Sequence, residues 1–497
     1  MDFNYLSTIL FLPAAGAIII AFISSRNEKA IKWTAFIFTA VPLVLAIYLF
    51  CAFDRSLSAA GTIQFEEKYL WIAPLSAHYH LGVDGLSMPL VLLTAFLGFL
   101  AVLISWKIHE RPREYFAWLL LLETSIIGVF ASLDLLLFFI MWEIEVIPMY
   151  FLISIWGSGR RDYSAIKYVL YTLFGSAFML AGILSLYFTT GSLSMPDIAN
   201  QGLGMVQAIM PAGAIFWLLF IGFAIKLPMF PFHTWLPDAH TDAPTAVSVM
   251  LAGVLIKMGG YGMIRLCVFM FPGPAQDYAQ LLIILALIGI LYGAAVTLMQ
   301  TDIKRMIAYS SISHMGYVLL GIFALGQVSL TGAALQMFSH GVVTGLLFAM
   351  AGLVIHNIET RDLRQLGGLA RQVPTMTVVF SVAGLASLGL PLTSGFAAEF
   401  LIFLGSFNSG VVPNIEIYTL IAVVGVVLTA GYILWLIQQA FYGPVNKNFD
   451  GVKDADGLEK FYMYVLVAVI MLVGIYPAVL TDVFKLGISP IAGLFGG

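Results

Sequence analysis

Three basic residues, Lys226, Lys257 and Arg265, and two glutamates, Glu143 and Glu399, stand inside apolar stretches long enough to cross a bilayer. An ionised side chain at the centre of a membrane helix costs about 2.5–3.5 kcal/mol on an insertion scale, so chains retain such groups where they line an ion or proton path. Acids that accept a proton, lysines that release one when desolvated, and histidines that titrate near neutrality are the parts of a proton relay.

The setting of each residue sharpens this chemistry. Glu143 lies in Phe138-Phe-Ile-Met-Trp-Glu-Ile-Glu145, near the middle of its apolar run. Glu145 follows by two residues, roughly 200° around a helix, so one carboxylate is expected to face the interior and the other a neighbouring helix or subunit. Glu123 is a further acid in the preceding run. Lys226 stands just before Pro228 in Lys226-Leu-Pro-Met-Phe-Pro231, where a desolvated lysine with a moveable carboxylate partner can hold and release a proton. Lys257 sits among glycines in Gly253-Val-Leu-Ile-Lys-Met-Gly-Gly260, and is expected to relay protons. Arg265, eight residues on, is expected to snorkel to the outer end.

His314, in Ser310-Ser-Ile-Ser-His-Met-Gly316, and His340, in Gln336-Met-Phe-Ser-His-Gly341, have hydroxyl-rich flanks that suit a water wire better than haem ligation. Glu399, in Gly395-Phe-Ala-Ala-Glu-Phe400, is the last strong acid inside an apolar run and is expected on the exit side. His233 lies near Lys226 in a segment with two His and two Asp whose spacing matches no zinc pattern.

The elements that position these groups are membrane helices. With 61% hydrophobic and 10% charged residues and a mean hydropathy of +0.97, the chain lacks the charged surface of a soluble fold. A net charge of -4 excludes a nucleic-acid surface. Cys51 and Cys267 match no disulfide or CxxC pattern and read as buried free thiols. At about 20 apolar residues per crossing, the chain divides into fourteen spans: 5–24, 31–52, 84–106, 115–133, 134–156, 164–189, 211–236, 244–271, 278–299, 303–325, 329–355, 373–406, 415–441 and 461–484. The first has its positive charges after it, Arg26, Lys29 and Lys32, and reads as a retained span and not a cleaved signal. The 23 Lys and Arg fix the orientation: apart from the three intramembrane residues, all but Arg55, Lys68 and Lys485 flank alternate connections on one side. Both termini are therefore expected outside.

Spans seven and twelve carry breaking motifs, Lys226-Leu-Pro and Gly389-Leu-Pro-Leu-Thr-Ser-Gly395. They lie five spans apart, an odd spacing that reverses direction and points to inverted repeats with a site at the midplane. The expected all-α, polytopic architecture is thus a three-helix segment (1–114), two five-helix repeats (115–271 and 272–445), and an inside loop with a last helix (446–497).

Lys226-Leu-Pro-Met-Phe-Pro-Phe-His-Thr-Trp-Leu-Pro-Asp-Ala-His, the following Ala-Pro-Thr, Gly253-Val-Leu-Ile-Lys257 and Ala308-Tyr-Ser-Ser-Ile-Ser-His-Met-Gly316 resemble the antiporter-like membrane subunits of respiratory complex I, over nearly the whole length. Trp142-Glu143 before Pro148-Met-Tyr, and a glutamate at Glu399 where sister subunits carry lysine, resemble the chain M branch, the counterpart of mitochondrial subunit four. The resemblance implies Glu143 as the essential carboxylate, Lys226 as the broken-helix lysine, Lys257 as the central lysine, Glu399 as the terminal acid, and His314 and His340 on the polar axis. It does not cover Glu123 or Glu145.

The resemblance further implies a proton-translocating subunit of NADH:quinone oxidoreductase in a bacterial inner membrane, flanked by L-like and N-like subunits. No cofactor is expected in this chain. The complex is expected to carry iron-sulfur clusters, with FMN where the donor requires it, and to use quinone. A change in the Glu143 to Lys226 pairing would then send protons by Lys257 and the histidines to Glu399. The alternatives are a subunit of a multisubunit cation/proton antiporter or membrane-bound hydrogenase, a stand-alone sodium/proton exchanger, and a haem protein ligated by His314 and His340.

Overall fold

The computed structural model describes residues 3–56, 61–201, 209–444, 449 and 451–496. Its helices are α1 (Tyr5–Phe22), α2 (Glu28–Ala52), α3 (Met88–Ile104), α4 (Pro112–Ala131), α5 (Leu135–Ile144), α6 (Val146–Trp156), α7 (Arg161–Thr190), α8 (Met195–Gln201), α9 (Ala212–Lys226), α10 (Trp235–Asp242), α11 (Thr245–Met250), α12 (Lys257–Gly262), α13 (Pro272–Leu298), α14 (Ile303–Phe323), α15 (Gln327–Ile358), α16 (Pro374–Ser387), α17 (Ser394–Phe407), α18 (Ile415–Phe441), α19 (Gly457–Ile475) and α20 (Ala478–Ala492). Among the described residues, thirteen helical stretches are long and apolar enough to cross a membrane. The broken pairs α9/α10 and α16/α17 supply the spans expected at positions seven and twelve.

Each break has a local cause. After Lys226 the chain leaves the helix through Pro228 and Pro231, which lack backbone donors. The freed Ile225 carbonyl is satisfied by the Trp235 indole at 2.9 Å, which anchors α10 back onto α9. In the second break Gly389 takes φ +78, a left-handed conformation that suits glycine. A milder interruption separates α5 from α6 at Glu145, where Pro148 cannot donate to the Ile144 carbonyl.

The two groups of five spans share a fastening. Asp134 caps α5 by accepting from the Leu136 and Leu137 amides at 2.9 and 3.2 Å, and Asp302 caps α14 by accepting from Lys304 and Arg305 at 2.9 and 3.1 Å. Asp134 forms an isolated antiparallel bridge with Ser194, and Asp302 with Asp362, both Asp302 and Asp362 following their counterparts at one common offset. The bonds correspond: Leu135 N to Leu193 O and Met195 N to Leu133 O in one, Ile303 N to Arg361 O and Leu363 N to Thr301 O in the other. Burial pushes both capping carboxyls above the usual aspartate range, against the backbone donors that oppose it. Helix α7 packs on both halves of the first broken span, α9 and α10, as α15 packs on both halves of the second, α16 and α17.

Two elements depart from the expected plan. The loop before α3, expected outside, folds into a hairpin, β1 (Gln64–Ile72) antiparallel to β2 (Ala77–Val83). The last expected span, 461–484, divides at Tyr476-Pro477 into α19 and α20. Helix α20 touches Gly61 through Leu486 and Gln327 through Ser489, and its Val483 and Gly487 lie against Gly85. These contacts belong to connections expected on one side, so α20 lies along that face instead of crossing. The segment 237–243, expected as an inside loop, is mostly the buried helix α10. Cys267 is buried, whereas Cys51 is exposed at the end of α2, correcting its expected burial. Lys447, one of the orienting lysines, lies outside the described residues.

Candidate functional site

The charged groups in the spans gather at two broken helices and the enclosed segment between them. At the first break Lys226 is 1% exposed and pairs with Glu145, itself completely buried. Tyr168 from α7 closes the ring: its hydroxyl donates to Glu145 Oε2 and accepts from Lys226 Nζ at 3.2 Å. The ammonium also lies 5.5 Å from the Trp142 ring and 5.3 Å from the Tyr168 ring. The partner of Lys226 in this state is therefore Glu145 and not Glu143, a correction to the expected pairing. Its cause is the interruption at residue 145, which turns Glu145 inward. Glu143 is half-buried, its Oε1 has no hydrogen-bond partner, and Lys226 remains within its electrostatic reach.

Lys257 is completely buried in a segment, Thr245 to Val268, that is enclosed on every side. It opens helix α12 directly after a π-helical turn, Leu251–Leu255, whose wider winding leaves the Ala252 carbonyl to accept the lysine ammonium. Lys257 Nζ also stands 2.7 Å from His340 Nδ1 on α15. That contact depends on close backbones: a Cβ at Gly341 would stand 2.6 Å from the Gly253 carbonyl oxygen.

From His340 the line continues. The His340 and His314 ring centroids are 5.5 Å apart, and His314 Nδ1 stands 3.3 Å from Glu399 Oε1, within ion-pair distance but without hydrogen-bond alignment. His314 Nε2 meets Ser387 Oγ at 3.2 Å, at the end of α16. Glu399 folds back over the second break, where a Cβ on Gly389 would come within 2.9 Å of its carboxylate. Ser339 donates to Ser394 Oγ at 2.8 Å beside it. The space shared by His314, His340 and Glu399 is about 10 Å³. That is the scale of a single water and far below a porphyrin, so the residues do not fit haem ligation.

The remaining expected residues fall outside this line. Glu123 is buried, its Oε1 unpartnered, with its carboxylate packed against Gly98 of α3. His233 packs between the rings of Phe230 and Tyr292, at 5.7 and 5.1 Å, with both nitrogens unpartnered. Arg265 does not snorkel: it is buried and bonds Asp84 at 2.6 Å, because the start of α3 brings a carboxylate to it.

Sequence reading passed over two groups. His240 on α10 is completely buried, stacks on Phe348 at 4.7 Å, leaves both nitrogens unpartnered and lies within electrostatic reach of Lys257 and Lys304. Its signal was its place in the same motif as His233. Below it, Asp238 and Asp242 open onto a cavity of about 370 Å³. Asp238 meets Lys167 at 2.7 Å and Arg305 at 3.5 Å, and Asp302 meets Arg361 at 2.8 Å. The mouth is lined by charged and hydroxyl groups that suit water.

Comparison with known proteins gives the same direction. The family described as NADH:quinone oxidoreductase/Mrp antiporter, TM, matches residues 132–429. The chain is 40% identical over 493 residues to NADH-quinone oxidoreductase subunit M of Rhodobacter capsulatus, covering 96% of this chain and 94% of that one. It is 41% identical over 494 residues to NAD(P)H-quinone oxidoreductase chain 4 1 of Synechococcus elongatus, covering 99% and 92%. Among solved structures, respiratory complex I from Thermus thermophilus with bound NADH is similar with a TM-score of 0.88 at 27% identity, over 99% of this chain and 100% of that chain. The Mrp complex from Dietzia sp. shares the fold, with a TM-score of 0.85 at 20% identity over 99% and 97%.

Proposed function

The chain belongs to the NADH:quinone oxidoreductase/Mrp antiporter membrane-subunit family, and on that premise we propose that protons cross it along Lys226, Lys257, His340, His314 and Glu399. It is a proton-translocating, antiporter-like membrane subunit of complex I, beside other membrane-arm subunits. The observation that carries the path is the contact series from Lys257 through His340 and His314 to Glu399, hydrogen-bonded at Lys257 and in ring and ion-pair contact beyond it, closed at the break beside Ser387 and Gly389.

Water enters at the Asp238 and Asp242 mouth. Lys226 exchanges carboxylate partners as the neighbouring subunit is perturbed by quinone chemistry, and its change of charge drives a proton from Lys257 toward the histidines. Glu399 passes the proton outward, since it follows the break on the half-helix that leads to the outside. Glu123, His233 and His240 are secondary candidates for water-borne transfer. The chain contributes the proton path, while flavin, iron-sulfur and quinone chemistry belong to other subunits. Its proposed neighbours are L-like and N-like subunits in a bacterial inner membrane. Residues 115–271 and 272–445 form the inverted repeats, and the shared Asp134 and Asp302 fastenings support that division.

The path is tested in inverted membrane vesicles by measuring proton uptake and quinone-reductase rate together. Lys257→Met should lower both at least tenfold with full-size complex on native gels, and normal uptake would remove Lys257 from the path. Orientation is tested separately. Arg160 and Asp197 are exposed, and cysteines placed there should be labelled only from the cytoplasmic and only from the periplasmic side, respectively. The reverse pattern overturns the proposed outside termini.

A further inference from the structure

The first break holds a group that the path to Glu399 does not use, the phenol of Tyr168. It is completely buried and bonded to both members of the ion pair: it donates to Glu145 Oε2 and accepts from Lys226 Nζ at 3.2 Å. Its ring meets Trp235 edge-on at 5.4 Å, and Trp235 is pinned to the Ile225 carbonyl, one residue from Lys226. The hydroxyl therefore has one place to be. Glu143 contrasts with it: half-buried, with Oε1 lacking a hydrogen bond and the Ser176 hydroxyl as the nearest donor to its carboxylate among the described residues.

We infer that Tyr168 is a positioning residue that holds Glu145 as the resting partner of Lys226 and keeps Glu143 free as the second partner. The inference rests on the proton-path reading above and adds to it what decides which carboxylate Lys226 keeps. A charge-assisted hydrogen bond in a low-dielectric interior favours the carboxylate that receives it. Glu145 receives the phenol and the ammonium, whereas Glu143 has Oε1 unbonded. Without the phenol the two acids become closer in their hold on Lys226, and the lysine loses its preferred resting place. The second half has no such lock: the common offset leads from Tyr168 to Gln336, whose Oε1 has no partner, and from Glu145 to Ser313, which donates to the Ile290 carbonyl at 2.9 Å.

The test uses the intact complex in its own membranes, with proton uptake and quinone-reductase rate measured together. The groups that face Glu145 are Lys226 from α9, Tyr168 from α7 and Glu143 from its own helix. Tyr168→Phe removes one hydroxyl and keeps the ring. It should assemble and lose about tenfold in proton uptake, the scale of one hydrogen bond to a charged group. The effect should vanish on a Glu145→Gln background and persist on a Glu143→Asp background. A 3-fluorotyrosine at 168, which keeps the donor and nearly the same size, should retain wild-type uptake. Wild-type uptake in Tyr168→Phe, or an equal loss on the Glu145→Gln background, overturns the inference, since a ring that only packs has no reason to depend on Glu145. Lys226→Arg in the same membranes separates the two readings: if it pumps normally the path itself fails, and if it does not while Tyr168→Phe is unchanged, only the positioning role fails.

Discussion

The two broken helices fill corresponding places in two five-span groups and hold opposite charges. At the first, Lys226 is gripped by Glu145 and Tyr168 within hydrogen-bond distance. At the second, the ion-pair partner of Glu399 among the described residues is His314, a looser contact at 3.3 Å, backed by the hydroxyl of Ser387 on the other ring nitrogen. A tight pair stores a proton in a defined state. The looser contact of the His314 imidazole with the Glu399 carboxylate fixes neither side chain in one pairing. On the proposed path, the difference separates a half that is set from a half that conducts.

The largest expected effect comes from fixing the cation. Lys226→Arg keeps the charge but not the ability to release a proton, and should lower proton uptake at least tenfold with the complex assembled. Uptake assayed beside quinone reduction checks this, and wild-type rates would reduce Lys226 to a structural cation.

Next in size is the terminal acid. Glu399→Gln should suppress proton uptake several-fold, while Glu399→Lys, which gives the second break the polarity of the first, should retain part of it. Both are read as protons moved per quinone reduced, and normal uptake in Glu399→Gln takes this residue out of the path.

The two acids of the first half should part company. Glu145→Ala strands a buried lysine, a loss of about 3–5 kcal/mol for breaking one side of a buried pair, and should reduce the amount of complex on native gels. Glu143→Ala should assemble fully and lose pumping, with Glu143→Asp keeping much of it. Equal assembly of the two alanine variants would dissolve the distinction between a held and a free carboxylate.

The smallest effects belong to the fastenings. Asp134→Ala and Asp302→Ala each remove a helix cap worth about 1 kcal/mol and should lower the thermal stability of the detergent-solubilised complex by similar small amounts. A large difference between them would argue that the halves are not built alike.

Much of this was legible in the residues. The spans, both breaks and the buried Lys226, Lys257, His314, His340 and Glu399 follow from hydropathy, proline placement and the rarity of charge in apolar runs. The choice between Glu143 and Glu145 did not follow. Two positions two residues apart lie on opposite faces of any helix, but which face turns inward depends on the interruption before Pro148, a tertiary matter. The π-helical turn that aims Lys257 leaves no mark in an apolar pattern. Helix α20 passed for the tail of a span because its apolar residues are as frequent as those of a crossing helix, and only its neighbours show where it lies. His240 was hidden by a motif that draws the eye to His233.

The paired bridges at Asp134 and Asp302 bear on how the chain is made. Each closes a loop within its own half, so the first can fasten before the second half has left the ribosome, as domains of larger proteins form during synthesis. The contact of Lys257 with His340 crosses from one half to the other and must wait for α15. A nascent chain thus carries a sealed lysine-glutamate pair long before it carries a conduit. On the proposed path, the series from Lys257 to Glu399 is complete only once α15 has docked against the first half, so the seam between the halves closes the route last.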